Sequence, residues 1–564
     1  MSAPATVRTV PSRISFAFAQ DGSHAACLTG AADGRLEVES WRFTPYGAER
    51  RVLPTGQGES TWTQLLCRRD GRVVLTRPGA GFHRLVLVTP SGERPLATVP
   101  SPAVRLAATP GEEELALAFS RTPGEGTAIY RVLDTGLEKI TELPGIVTGG
   151  HPLGPQLLGL THHGDAPRPI TLDLATGSCR PIPGTGPGQH LLAAGDRLLL
   201  AGLVDGRLRL GHALPGEAPV FPDTLEAIEG TVAPMAAAGQ DVALRVDLGA
   251  RSHLVVYTPG EERIRTVATP PGIIHTIAAW GPDGLRFPFS APAQPGGVAT
   301  VDPATGRWEL AADGEDGEWA DAEVHRFPGP DGPIEAVVYG DWRRADHLVV
   351  SLHGGPEAAA QLGFDPFLQR LAAAGVAVVA PNYRGSTGYG QAHQQALHGA
   401  WGGPDLADIR HLGRQLAAEG RTLMLHGTSY GAFLALLAAA ADPWLWDRCA
   451  AVAPFLSGPS LHEEGSPAVR ALIERLGGRE AIDDELGPRD LVLLCHRIAA
   501  RLLIVHGCLD EVIPVSQSQR LCDHLRRTGR DFTYVESPTG GHDPTHGPHG
   551  PELIDRLVGF LRTP

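Results

Sequence analysis

Two rhythms of apolar and polar positions divide this 564-residue chain. From the start to about residue 315 it reads as short strands, among them Ser15-Phe16-Ala17-Phe18, Leu36-Glu37-Val38-Glu39-Ser40-Trp41, Val73-Val74-Leu75-Thr76 and Leu85-Val86-Leu87-Val88. Turn dipeptides punctuate them: Asp21-Gly22, Asp33-Gly34, Asp70-Gly71, Ser91-Gly92, Asp205-Gly206 and Asp283-Gly284. Such pairs supply the positive φ that tight hairpins require. The unit recurs roughly every forty residues, the spacing of propeller blades. Residues 299–310 show its late strand, turn and outer strand. The expectation is an all-β propeller of about seven blades, with six and eight as the neighbouring counts. An array of β-sandwiches is the rival, but closed radial repetition hides strand edges without separate domains.

After the acidic stretch Asp313-Gly314-Glu315-Asp316-Gly317-Glu318 the rhythm changes. Apolar runs at 348–352, 376–380, 422–425, 450–453, 502–505 and 532–535 alternate with helix-forming segments at 367–374, 406–419, 432–441, 515–528 and 552–562. Leu406, Ile409, Leu412 and Leu416 recur at helical spacing and make one apolar face. Continuous apolar strands separated by helices predict a mostly parallel, doubly wound sheet covered on both sides. Ligands of such sheets bind at the carboxyl ends of the strands. Two domains follow, a β-propeller over 1–315 and an α/β domain over 316–564.

Composition narrows the functional classes. The net charge of −15 argues against a nucleic-acid surface and offers no basic patch for an anionic membrane. No apolar run is long enough to span a bilayer, and residues 1–20 lack the pattern of a signal peptide. The seven cysteines (Cys27, Cys67, Cys179, Cys449, Cys495, Cys508 and Cys522) are scattered, without a CxxC pair. Reduced thiols in a cytoplasmic protein are the plain expectation.

The chemistry concentrates at Gly427-Thr428-Ser429-Tyr430-Gly431, between an apolar strand and a helix-forming run. A strand that turns sharply into a helix pushes its corner serine out at the tip, with glycines letting the two backbones approach. This is the nucleophile elbow of an α/β-hydrolase. A serine hydroxyl then needs a base and an acid that orients the base, in the chain order Ser, acid, His. The acid candidates are Asp510 and its neighbour Glu511, directly after the strand at 502–505. The base candidate is His542, after Thr539-Gly540-Gly541, with His546 and His549 close by. A metal reading of these three histidines lacks helical spacing and an accompanying carboxylate, so neither metal nor cofactor is expected. Oxyanion donors are expected from the amides of Tyr430, after the nucleophile, and Gly355, in His353-Gly354-Gly355-Pro356. Each such donor is worth about 3–4 kcal/mol in the transition state.

Together these residues resemble the prolyl oligopeptidase family of serine peptidases, nearest its acylaminoacyl-peptidase and dipeptidyl-peptidase-like branch. The motifs that carry the likeness are the 353–356 loop, Pro381-Asn382-Tyr383-Arg384-Gly385-Ser386-Thr387-Gly388-Tyr389-Gly390, Trp401-Gly402 and the elbow. His506-Gly507, Asp510, Pro514 and Gln517-Ser518 complete the series. The resemblance favours Asp510 over Glu511. It implies Ser429, Asp510 and His542 as nucleophile, acid and base, and Gly355 and Tyr430 as oxyanion donors. It also implies a propeller that caps the site, and short peptides or small acylated molecules as substrates. The chain departs from the family at Thr428, Ala432 and Asp543. An added carboxylate at Asp543 raises the imidazole pKa or binds a substrate amine. The stretch 454–501 matches loosely, which leaves the substrate open. An esterase, amidase or acyl-transfer enzyme on a specialised metabolite is the rival, and a catalytically dead scaffold the remoter one. Glu463-Glu464 reads as a solvated helix start, and Arg384 as paired within the fold. The sequence leaves the oligomeric state open, a homo-oligomer included.

Overall fold

Seven small antiparallel sheets follow one another between Arg13 and Ala311 of the computed structural model. The structure describes residues 13–31, 35–111, 113–312, 319–480, 482–546 and 549–562. The turn at Asp33-Gly34 and the acidic stretch 313–318 lie outside them. Blade one is Arg13–Phe18, His24–Gly30, Leu36–Thr44 and Gly47–Leu53 in that order. The others span residues 64–99, 104–143, 146–181, 189–213, 231–267 and 273–311, blade five with three strands.

Each blade shares an apolar core with the next. Leu28 and Val38 of the first pack with Leu75 and Val88 of the second, and the pattern continues round the ring. The circle closes where Val298 of blade seven joins Ala25, Cys27 and Trp41 of blade one. There the Arg286 Nη1 donates to the Gly22 carbonyl at 2.9 Å. A Cβ at Gly281 would stand 1.9 Å from the Asp21 carbonyl oxygen, so only glycine permits that approach. Closure removes the exposed edges that a sandwich array would leave.

The second domain is an α/β-hydrolase with an eight-stranded sheet. In spatial order its strands are Ala322–Phe327, Ile334–Tyr339, Ala377–Asn382, His347–Leu352, Thr422–Thr428, Trp446–Val452, Arg501–Gly507 and Phe532–Ser537. The last six are parallel, and the first two form an antiparallel edge hairpin. Side chains alternate between two cores. Leu423 and Leu425 face the helices Pro404–Ala417, Tyr430–Ala441 and Ser516–Arg527, whereas Met424 faces Pro366–Ala373 and Gly550–Arg562. The edge hairpin has no counterpart in the sequence reading. Its first strand, AEVHRF, carries charge and imidazole where an apolar run was sought.

The domains meet at blades six and seven. The Gly249 N–H donates to the Gly388 carbonyl at 2.8 Å, and the Leu362 N–H to the Ala250 carbonyl at 2.9 Å. Ala250 is buried in the hydrolase core, and its N–H reaches Glu335 Oε1. Gln369 Nε2 donates to the Pro292 carbonyl at 2.7 Å, and Ser290 Oγ accepts from the Phe364 N–H.

Candidate functional site

Ser429 stands alone between the strand Thr422–Thr428 and the helix Tyr430–Ala441, at φ 59° and ψ −122°. Positive φ is costly for a residue with a Cβ and persists only where the surroundings impose it. Here they do. The Ser429 N–H donates to the Val452 carbonyl at 2.8 Å, and its own carbonyl accepts from Ala432 and Phe433. The flanking glycines are sterically required. A Cβ at Gly427 would lie 2.2 Å from the Gly431 carbonyl oxygen, and one at Gly431 would lie 2.2 Å from that of Leu352.

The loop after Phe532–Ser537 brings His542 over the strand ends. It rests on Gly507, where a Cβ would stand 2.2 Å from the Gly541 oxygen. His542 Nε2 lies 3.1 Å from Ser429 Oγ, and its Nδ1 lies 2.8 Å from Asp510 Oδ2. An ionised carboxylate only accepts, so it fixes the proton on Nδ1 and leaves Nε2 to receive the hydroxyl hydrogen. The rival acid Glu511 is exposed.

Asp510 is held from several directions. Its Oδ1 accepts the N–H groups of Val512 and Ile513, each at 2.8 Å, and His506 Nε2 lies 3.2 Å from Oδ2. Burial pushes this carboxyl up, but hydrogen bonds from His506 and His542, the His542 charge and the Ile513 N–H outweigh it. The carboxyl sits well below the usual range. His506 is fully buried, with Nδ1 on Ser518 Oγ at 2.6 Å and Nε2 on the Ile513 carbonyl at 2.9 Å. Gln517, also fully buried, accepts the Leu456 N–H and donates to Ser460. These motif residues support the acid loop and the segment after the strand Trp446–Val452.

On the other side of Ser429 lies the loop 353–356. A Cβ at Gly354 would meet the Thr428 carbonyl oxygen at 3.3 Å and Ser429 Cβ at 3.4 Å, so Gly354 packs directly against the elbow. Gly355 follows, exposed, at φ 127°. The segment 382–390 braces this loop. The Tyr383 hydroxyl donates to the His353 carbonyl at 2.7 Å and its ring stacks on the imidazole at 4.3 Å. Ser386 Oγ lies 2.8 Å from His353 Nε2. Burial holds His353 neutral down to about 4, which suits this framing role.

Tyr430 opens its helix, where a backbone N–H has no intrahelical acceptor. Its side chain points away from the nucleophile into the core, and the hydroxyl donates to Asp405 Oδ2 at 2.6 Å. Burial lifts the Asp405 carboxyl to about 6, against hydrogen bonds from Tyr430, Leu406 and Gly402 that lower it. Sequence reasoning missed Asp405, Ser386 and Gly354 as supports. The Trp401-Gly402 and 382–390 motifs were the available signal.

Other candidates do not join the cluster. Arg384 pairs with the buried Asp408, Nη2 to Oδ1 at 2.7 Å, as expected. Glu463-Glu464 is exposed but ends the helix Gly458–Glu464 rather than starting it, because the cap is Ser457 and not the glutamates. Glu464 pairs with Arg520 at 2.6 Å. Asp543 is exposed and accepts the Thr545 N–H at 3.0 Å. His426, one strand residue beneath the elbow, is held neutral to about 4 by burial, with the Asp543 charge opposing. His549 is exposed, and the side chain of His546 lies outside the described residues. All seven cysteines are unpaired. Among the described residues no helix is long and apolar enough to cross a membrane.

The model of the prolyl oligopeptidase family matches residues 363–563. The acylamino-acid-releasing enzyme of Rattus norvegicus is 33% identical over 210 residues, 35% of this chain and 28% of its own length. Dipeptidyl aminopeptidase BIII of Pseudoxanthomonas mexicana is 28% identical over 209 residues, 35% of this chain and 30% of its own. The chain thus spans about a third of the length of the curated relatives it matches. The acylaminoacyl peptidase structure of Pyrococcus horikoshii covers 98% of this chain and 95% of its own, with a TM-score of 0.76 at 14% identity. The puromycin-hydrolyzing peptidase of Mycobacterium tuberculosis covers 98% and 94%, with a TM-score of 0.73 at 18% identity. At such identities these two structures speak for the fold.

Proposed function

We propose that the chain, whose residues 363–563 match the model of the prolyl oligopeptidase family, is a serine peptidase cleaving amide bonds of short or acylated peptides. The observation that carries the proposal is the aligned set Ser429, His542 and Asp510. In this reading His542 Nε2 takes the hydroxyl proton as Ser429 Oγ attacks the carbonyl carbon. Asp510 orients the imidazole and stabilises the imidazolium. The carbonyl oxygen becomes an oxyanion held by the amides of Tyr430 and Gly355. The C–N bond then breaks, the leaving amine takes the proton from His542, and an acyl-enzyme remains on Ser429. Water, deprotonated by His542, resolves it and restores the hydroxyl.

The propeller, joined at blades six and seven, caps the site and restricts entry to short chains. Seven unpaired cysteines fit a cytoplasmic setting. An esterase or acyl-transfer reading draws on the segment after Pro454, which folds as short helices at Gly458–Glu464, Pro467–Arg475 and Leu491–Leu494. A panel of acyl-peptide, aminoacyl and proline-peptide chromogenic substrates beside simple esters separates the two. The peptidase reading predicts turnover of amides, and turnover of esters alone defeats it.

A further inference from the structure

Blades three and four bring two basic side chains, Arg105 and His151, together on their innermost strands. Arg105 is the second residue of the innermost strand of blade three, Val104–Ala107. Its guanidinium stacks on Phe119 at 4.2 Å and makes no hydrogen bond or ion pair among the described residues. The Nη2 is buried without an acceptor. The side chain reaches toward blade four, where a Cβ at Gly150 would lie 3.9 Å from its Nη1. Beside it stands His151, on the innermost strand of blade four, Ile146–Gly154. Burial and the Arg105 charge hold His151 neutral down to about 4. A separate pair lies at the end of the neighbouring strand Leu157–His163, where His163 stands opposite Ile146 and its ring is 5.4 Å from that of His190 on blade five.

No carboxylate figures among the groups acting on Arg105, His151 or His163. Burial and other basic side chains account for all three. That is unusual in a chain of net charge −15. Other half-buried arginines have acidic partners, Arg77 with Glu59 and Arg384 with Asp408. A guanidinium withdrawn from water without a counter-charge is a standing cost that a ligand carboxylate would offset. The position suits a ligand. The hairpin turns at Gly249 and Pro292 meet the hydrolase domain, so the link entering each innermost strand lies on that same side. Arg105, near the start of its strand, sits toward the hydrolase-facing mouth.

We infer that Arg105, with His151 beside it, forms a carboxylate-recognition site that holds the anionic end of a peptide substrate. The inference rests on the peptidase reading above. The guanidinium supplies a fixed charge and N–H donors, and the His151 imidazole adds a further N–H. The carboxylate is either the free C-terminus of a peptide or an acidic side chain.

The test is calorimetric titration of the full-length Ser429→Ala chain, which cannot consume the probes. The probes are tri-alanine, tri-alanine amide, and the amides of Ala-Glu-Ala and Ala-Gln-Ala. At least one carboxylate probe is expected to bind about tenfold more tightly than its neutral counterpart. Which one does so identifies the source. Arg105→Gln in the same chain is expected to abolish the difference, and Arg105→Lys to restore part of it. Equal affinity for all four probes, no detectable binding, or a difference that survives Arg105→Gln overturns the inference. Reagent labelling of Ser429 in the unaltered chain reports separately on the peptidase reading.

Discussion

His542 Nε2 and Ser429 Oγ lie 3.1 Å apart although 113 positions separate them in the chain. Two features produce that distance. The elbow fixes the hydroxyl at a positive-φ corner, and the glycine at 507 lets the histidine loop settle over the sheet. The nucleophile, acid and base follow three strands of one sheet, with Trp446–Val452 lying between the nucleophile strand and the other two.

Asp510→Asn leaves the shape of the site intact but removes the charge that orders the imidazole. Turnover of a peptide substrate is expected to fall by about 10⁴-fold, with KM changed little. Steady-state kinetics at neutral pH check this. The rival Glu511→Gln is expected to retain wild-type turnover.

Gly431→Ala places a methyl group 2.2 Å from the Leu352 carbonyl oxygen, a rigid backbone atom. The elbow cannot accommodate it. A loss of about 3 kcal/mol or more in unfolding free energy is expected, together with loss of activity. Chemical denaturation followed by fluorescence measures it.

Ser386→Ala removes the hydroxyl beside His353 Nε2 while leaving the nucleophile untouched. A hydrogen bond of this kind is worth about 0.5–1.5 kcal/mol. The expected result is a two- to tenfold lower kcat, about the same magnitude on the rate scale, with KM nearly constant. Ser386→Thr is expected to recover part of it.

Asp405 introduces a pH dependence of definite sign. Its folded carboxyl titrates at about 6, whereas an unfolded aspartate titrates near about 3.9. Between these values the folded chain holds a proton that the unfolded chain has lost. Its contribution is therefore fully present below about 4 and declines as pH rises through about 6. Asp510, held low, contributes in the opposite sense, and its share is lost as pH falls below the unfolded value. Melting temperatures of wild type and Asp405→Asn between about pH 3 and 7, one unit either side of the window, are expected to diverge with the stated sign.

Much of this architecture was legible in the sequence because it depends on local pattern. Alternation and Gly-containing turns specified the blades, and the Leu406–Leu416 periodicity specified a helix packed on the sheet. The elbow and the 353–356 loop were legible because close backbone approach demands glycine. The first strand of the edge hairpin, Ala322–Phe327, was not, since charged and imidazole side chains interrupt its apolar positions. The bracing by Ser386, Asp405 and His506 was also hidden, because it consists of long-range hydrogen bonds between buried polar groups. Ser386 and His506 lay inside motifs whose spacing says nothing of what each side chain touches, and Asp405 lay outside them, just after Trp401-Gly402.

The most direct measurement is reaction of the unaltered chain with a fluorophosphonate, followed by peptide mapping. The account predicts a single adduct on Ser429, and its loss in His542→Ala. Hydrolysis of peptides without an adduct on Ser429, or labelling of Ser429 that is unaffected by His542→Ala, would contradict it.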